Sequence, residues 1–137
     1  MSIAAEPNLS DEQLLAVARS VTQFNRGLYF ECHETLEEVW LPLRGPSRDF
    51  FQGLIQVSVG FLHLGRGNHA GARTTFSRAL RRFEAYPDRY FGFDLAAERT
   101  RLQALLATED NGDIAAPELS PCWTFEGLPA ADRATQA

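Results

Sequence analysis

The segment from residue 30 to residue 40, FECHETLEEVW, concentrates side chains that could do chemistry. On a helical wheel with about 100° per residue, His33 and Glu37 lie together at the edge of the apolar face, while Glu34 and Glu38 form a pair farther out. A histidine and a carboxylate four residues apart can bind one metal ion from a single helix. The spacing therefore predicts a polar pair, His33 and Glu37, beside the core.

A second polar stripe is predicted on the next helix, from about residue 48 to residue 64. That helix is apolar around nearly its whole circumference, which is typical of a central buried helix. Gln52, Gln56 and His63 nevertheless fall within about 40° of one another on its wheel. Because a buried polar group without a partner costs about 1–3 kcal/mol, we expect this stripe to face the pair on the preceding helix.

The two stripes allow three interpretations. In the first, they form a structural hydrogen-bond network in which Glu37 accepts from a glutamine amide or an arginine and His33 lies between them. In the second, His33, Glu37 and His63 bind a divalent metal or a small ligand. In the third, the same site is catalytic, as in a hydrolase, with Glu34 as the general base.

The zinc-protease pattern H-E-x-x-H is not completed here, because Glu37 stands where the second histidine is required. We therefore reject the protease interpretation and favour the structural network. We expect no resident cofactor and keep a divalent metal as the alternative. Whether the chain is an enzyme stays open at this point.

Composition excludes several classes of function. The chain of 137 residues has the length of one domain, and its net charge of −5 argues against nucleic acid as a partner. All 13 basic residues are arginine, which excludes a Schiff-base lysine and a P-loop lysine. No apolar run approaches 18 residues, so no membrane span is expected.

The two cysteines, Cys32 and Cys122, lie outside any C-x-x-C motif, and the sequence offers no support for a disulfide between them. The first eleven residues lack the basic and apolar regions of a signal peptide. Two free thiols without a leader indicate a cytoplasmic protein.

Helical periodicity and capping residues predict five helices. Ser10 and Gln13 form a capping box for the first helix, and Ser47, Asn68 and Asp94 are the expected N-caps of the third, fourth and fifth. No segment alternates like a strand. The predicted fold class is therefore all-α.

The predicted organisation is an N-terminal tail at residues 1–9, a helical domain at residues 10–110 and an extended segment at residues 111–137. We expect a compact bundle with an irregular C-terminal strap that packs through Trp123 and Phe125. Small residues of the third helix should let a neighbouring helix approach closely; these are Gly53, Ser58 and Gly60.

Several motifs occur in combination: F-N-x-G-x-Y-F-E-x-H-E-x-L-E-x-x-W at residues 24–40, F-x-G-L-I-Q at residues 51–56, His63, and R-G-N-x-x-G-A at residues 66–72. Over about residues 12–107 the chain resembles the prokaryotic family called domain of unknown function 309. The resemblance implies a compact bundle of about five helices, in bacteria or archaea, with no established activity.

The resemblance carries over no catalytic residues. It implies only that certain side chains occupy the motif positions, namely Tyr29, His33, Glu34, Glu37, Trp40, Gln56 and His63. Cys32 stands where the family more often has alanine.

The expectation for function is an uncharacterised small soluble helical domain that acts as a non-catalytic binding or interaction module. A homodimer or another protein is a possible partner, whereas nucleic acid and membranes are not expected. The alternative is a metal-binding or ligand-binding protein that uses His33, Glu37 and His63.

Overall fold

The computed structural model describes residues 5–107, 114 and 123–125. Within them the chain forms five helices and one antiparallel sheet of two strands, in the order α1 (Asp11–Asn25), α2 (Tyr29–Trp40), α3 (Arg48–Gly65), α4 (His69–Phe83), β1 (Arg89–Tyr90), β2 (Phe93–Asp94) and α5 (Leu95–Leu106). The predicted all-α bundle of about five helices is confirmed. The sequence does not predict the two strands, because two residues are too few to produce an alternating pattern.

Capping residues begin most of the helices as predicted. Ser10 and Gln13 form a reciprocal capping box, and the side chains of Asn68 and Asp94 each accept a backbone N–H in the first turn of α4 and α5. Ser47 was expected to cap α3, but its side chain makes no such bond. Its backbone has φ −77° and ψ −14°, whereas an N-cap side chain turns back on the helix from an extended backbone. The prediction for Ser47 is wrong.

The central helix is α3, with α2 and α4 packed against it. Rings from α4 lie directly on the two glycines of its buried face. A Cβ atom added at Gly53 would lie 2.5 Å from Cε1 of Phe83, and one added at Gly60 would lie 2.4 Å from Cε1 of Phe76. The predicted close approach is confirmed at these two positions.

A short hairpin follows α4 and anchors the beginning of the described chain. Its two-residue turn is Phe91-Gly92, with φ of +49° and +76°, as a type I′ turn requires. The Tyr90 hydroxyl donates to the carbonyl oxygen of Ala5 at 2.6 Å, and the Phe91 N–H donates to Glu6 Oε2 at 2.8 Å. The N-terminal segment is therefore held by the hairpin.

Parts of the C-terminal segment join the core. Ile114 and Trp123 are buried, and Phe125 packs against the same core. The expected packing of the strap is confirmed at Trp123 and Phe125. Apart from Ile114 and residues 123–125, the segment at residues 111–137, including Cys122, lies outside the described residues. The bounds of tail, domain and C-terminal segment stay a prediction. No helix in the described ranges is long and apolar enough to cross a membrane.

Candidate functional site

His33 and Glu37 lie side by side at the edge of α2. His33 Nε2 is 4.0 Å from Glu37 Oε1, with the histidine side chain 18% exposed and the glutamate side chain 47% exposed. His33 Nδ1 is 2.5 Å from the Phe30 carbonyl oxygen. Because a carbonyl oxygen only accepts, Nδ1 carries the hydrogen of that bond. Of the other carboxylates, Glu34 is exposed, and Glu38 pairs with Arg19 at 3.2 Å.

The polar side chains of α3 find other partners. Gln56 Oε1 accepts from Arg82 Nε of α4 at 3.1 Å, and the Asn68 amide lies 3.3 Å from His63 Nδ1. Gln52 Oε1 is buried and has no partner among the described residues. Arg82 reaches Gln56 because it lies on α4, which packs against α3.

The two predicted stripes are therefore not joined. Within the described residues, no hydrogen bond or ion pair links His33 or Glu37 to Gln52, Gln56 or His63. No three histidine, cysteine, aspartate or glutamate side chains in this part of the chain are arranged to hold a metal ion. His63 thus stays apart from the pair on α2.

A buried ion pair lies on α5, a helix that carries neither of the two predicted stripes. The buried residues of that helix are Leu95, Glu98, Leu102 and Leu105. Glu98 is only 6% exposed, and its Oε2 pairs with Arg101 Nη2 one turn along the same helix. A carboxylate occupies a position on the apolar stripe where a leucine would otherwise pack.

Burial and the neighbouring polar groups shift the pKa of the Glu98 carboxyl in opposite directions. Burial raises its pKa, while the charge and hydrogen bond of Arg101 and a hydrogen bond from Trp123 oppose the shift. Among the described residues, Glu98 Oε1 and Arg101 Nε have no partner at ordinary hydrogen-bond geometry. Beyond the Trp123 interaction, one acceptor and one donor of the buried pair therefore lack an ordinary hydrogen bond.

Trp123 covers this pair from the C-terminal segment. Its indole stacks on the Phe24 ring with centroids 3.7 Å apart and an interplanar angle of 3°. The Asn25 side-chain amide makes two hydrogen bonds to the backbone of Trp123. Its Nδ2 donates to the Trp123 carbonyl oxygen at 2.9 Å, and its Oδ1 accepts from the Trp123 N–H at 2.7 Å. We call these two bonds the Asn25–Trp123 clasp.

A cavity of about 290 Å³ opens beside the ion pair, between α3, α5 and the segment at Trp123. Its apolar lining comes from Leu54, Phe93, Leu95, Ala97 and Trp123, and its polar lining comes from Asp94, Glu98, Arg101 and Thr124. An apolar cavity with a few convergent polar groups is typical of a small-molecule site. The arrangement can orient one small ligand through hydrogen bonds to the buried pair.

The residues of this site lie outside the two predicted stripes, although the sequence carries a signal for them. Glu98 falls three residues after Leu95 and four before Leu102, inside an apolar stripe of helical spacing. A charged residue in that position predicts a buried pair or a site, and Arg101 at i+3 supplies the partner. The role of Asn25 could not be read in this way, because its partner is 98 residues away.

Comparison with known proteins finds a family model that matches part of the chain. Residues 17–75 match the domain of unknown function DUF309. The resemblance is thereby confirmed for these residues, which extend from α1 into α4 and include His33, Glu37, Gln56 and His63. The matched range is narrower than the expected residues 12–107 and ends before Glu98.

Two uncharacterised bacterial proteins are similar to this chain. One, from Aquifex aeolicus (strain VF5), is 29% identical over 97 residues, which are 70% of this chain and 28% of that protein. The other, the uncharacterized protein YpuF of Bacillus subtilis (strain 168), is 41% identical over 59 residues, 42% of this chain and 33% of that protein. The chain thus spans about a third or less of the relatives that it matches.

Proposed function

We propose that this chain is a non-catalytic binding module that holds a small neutral molecule in the cavity beside Glu98 and Arg101. One observation carries the proposal: a carboxylate that is more than nine-tenths buried lines the cavity, and beyond its interaction with Trp123 its Oε1 makes no hydrogen bond of ordinary geometry among the described residues. Buried polar atoms are usually hydrogen-bonded, because leaving one unpaired is costly. A ligand that bonds this oxygen removes that cost.

The two atoms of the pair that lack an ordinary hydrogen bond define the polar end of the ligand. Glu98 Oε1 needs a donor, and Arg101 Nε needs an acceptor. A primary amide supplies both without adding charge. A carboxylate would instead meet the charges of Glu98 and Asp94, which both line the cavity. The apolar lining suits a ring or a short alkyl chain, and the volume limits the ligand to about one ring.

Three probes with one ring and different polar ends test this proposal: benzamide, benzoate and benzylamine. Binding is measured as chemical-shift changes of the Trp123 indole N–H in ¹H–¹⁵N spectra. We expect saturable shifts with benzamide and at least about tenfold weaker binding of the two charged probes. No saturable shift with benzamide, or equal affinity for all three, would overturn the proposal.

Two variants locate the site. Ala97→Leu fills the cavity from an exposed position and leaves the ion pair intact, so it should abolish benzamide binding. Glu98→Gln keeps one oxygen, which Arg101 retains, and puts an NH2 group in place of Oε1, so it should weaken binding. The control Glu84→Gln makes the same change at an exposed position outside the cavity and should not weaken it. Unchanged binding to Ala97→Leu would contradict the assignment of this cavity.

The proposal includes no resident metal or other cofactor and no nucleic acid partner. Metal analysis of the purified protein tests the first part. A stoichiometric divalent metal that is lost in Glu37→Gln would favour the metal interpretation instead. We also propose a cytoplasmic location, which the buried free thiol of Cys32 supports.

A further inference from the structure

The outward face of α2 carries two large apolar side chains and two carboxylates in one row. Phe30, Glu34, Glu37 and Leu41 follow one another at i, i+4, i+7 and i+11, which places them on one side of a helix. Phe30 is 45% exposed and Leu41 is 61% exposed. Leu41 directly follows the helix and keeps a helical backbone, so the row is continuous.

The outward face of α4 and the turn that directly follows it carry the complementary row, with Ala85 in that turn. Thr74, Arg78, Arg81 and Ala85 have the same spacing of i, i+4, i+7 and i+11, and all four are exposed. Neither Arg78 nor Arg81 has an ion-pair partner among the described residues, since Asp49 pairs with Arg82 at 2.6 Å. The carboxylates of α2 are matched in number and spacing by free guanidinium groups on α4.

We propose that two copies of this chain associate by docking the row on α2 of one copy against the row on α4 of the other. The spacing reads the same in both directions, so Glu34 and Glu37 can each meet one arginine whether the helices run parallel or antiparallel. In either direction the two large apolar side chains oppose the small ones, Thr74 and Ala85.

The shape of the α4 surface supports this docking. A cavity of about 310 Å³ lies at the Ala85 end of the row, lined by Asp49, Arg78, Arg81, Arg82 and Ala85. Leu41 reaches it in the parallel arrangement and Phe30 in the antiparallel one. Each row is about 16 Å long from its first to its last residue, at 1.5 Å per residue, so the ion pairs and both apolar contacts can form together.

The strength of the association depends on the two kinds of contact between the rows, ion pairs and apolar contacts. Exposed ion pairs contribute little each and are screened by salt, while burying the two apolar side chains adds a salt-independent part. We therefore expect weak, salt-sensitive association. Because the two surfaces differ, the contact either occurs twice in a two-fold dimer or continues from copy to copy.

Sedimentation equilibrium of the full chain at 50 mM and 500 mM NaCl tests the proposal. We expect self-association at 50 mM NaCl that weakens by about tenfold at 500 mM. Each double reversal, E34R/E37R or R78E/R81E, should leave a monomer at 50 mM NaCl. An equimolar mixture of the two reversed proteins should form a heterodimer, because each then supplies the missing charge.

Two further variants complete the experiment. R26E/R66E reverses two exposed arginines outside both rows and should associate like the wild type. Leu41→Ser removes an exposed apolar group without touching the core and should weaken association at both salt concentrations, a result that stays informative if a reversed protein does not fold. The proposal is overturned by a wild type that is monomeric at 50 mM NaCl and millimolar concentration, by a mixture that stays monomeric, or by a control that also loses association.

Discussion

At the scale of single residues, the Glu98–Arg101 pair is the most informative feature of the molecule. Removing two charges from water costs several kcal/mol per ion, and the attraction between them seldom repays more than that cost. The pair is therefore a poor means of stabilising α5, whose other buried residues are leucines. Its place beside a cavity is better explained by ligand binding than by stability.

The raised pKa of Glu98 predicts a defined pH dependence of stability. The pKa in the folded protein lies above the ordinary value of 4.5, so the folded state holds the proton more tightly than the unfolded chain. The contribution of this group is complete below pH 4.5 and is lost as the pH rises through the folded pKa. The Glu98→Gln variant has no ionisable group at this position, so this pH dependence should be absent from it.

Urea unfolding of the wild type and of Glu98→Gln between pH 4 and pH 8 measures the effect. The advantage of the wild type in unfolding free energy should shrink with rising pH, because the folded protein then loses the proton that it holds more tightly than the unfolded chain. For the exposed Glu84→Gln the difference from the wild type should stay constant. A difference that is also constant for Glu98→Gln would show that burial does not control this carboxyl.

At the scale of helices, the contact between α3 and α4 depends on rings that lie over glycines. Gly53 and Gly60 are seven residues apart on α3, and Phe83 and Phe76 are seven apart on α4. The same contact of a ring on a glycine therefore occurs twice, two helical turns apart, and the two helices run in opposite directions. Both rings are fully buried, so neither can move aside without disturbing the core.

Alanine substitutions separate this packing from helix propensity. Gly53→Ala and Gly60→Ala each gain about 1 kcal/mol of propensity but force a methyl group into a ring, and we expect a net destabilisation of about 1–3 kcal/mol. Gly65→Ala, at the end of the same helix with nothing within 4 Å of its Cβ, should be neutral or stabilising by about 0.5 kcal/mol. Thermal or urea unfolding measures all three, and stabilisation in all three would refute the packing argument.

At the scale of the whole molecule, one core of the described residues extends from α1 to Trp123, and Cys32 is a fully buried part of it. The thiol is fully buried, and burial raises its pKa to about 12 despite hydrogen bonds with Ser58 and with the Phe24 backbone. Burial therefore keeps the thiol protonated at pH 8, and the thiolate is the reactive form. The reactivity of Cys32 therefore reports opening of the core.

Thiol labelling with Ellman's reagent tests this in a Cys122→Ser background. Cys32 should stay unlabelled in the folded protein at pH 8 and react at a rate that rises with urea in step with global unfolding. An added exposed cysteine, Ala85→Cys, should react at once and gives the reference rate. Labelling of Cys32 at a comparable rate without urea would mean that the core opens locally near α2.

A structural feature can be predicted from the sequence where neighbouring residues determine it. It cannot be predicted where it depends on how distant segments pack. Capping at Ser10, Asn68 and Asp94 is decided within four residues, so the helix starts could be predicted. The partner of Gln56 could not be predicted, because a helical wheel shows toward which side a side chain points but not which neighbouring helix lies on that side. Arg82 is 26 residues away in sequence.

The Asn25–Trp123 clasp has a consequence for the order in which the chain folds. It joins positions 98 residues apart, whereas α1 with α2 and α3 with α4 are neighbours in sequence and close short loops. We expect the clasp to form after the rate-limiting step. Asn25→Ala should then speed unfolding and leave the folding rate nearly unchanged, as stopped-flow measurements in urea can determine. The C-terminal segment would thus set how long the native state lasts, and the helices would set how fast it forms.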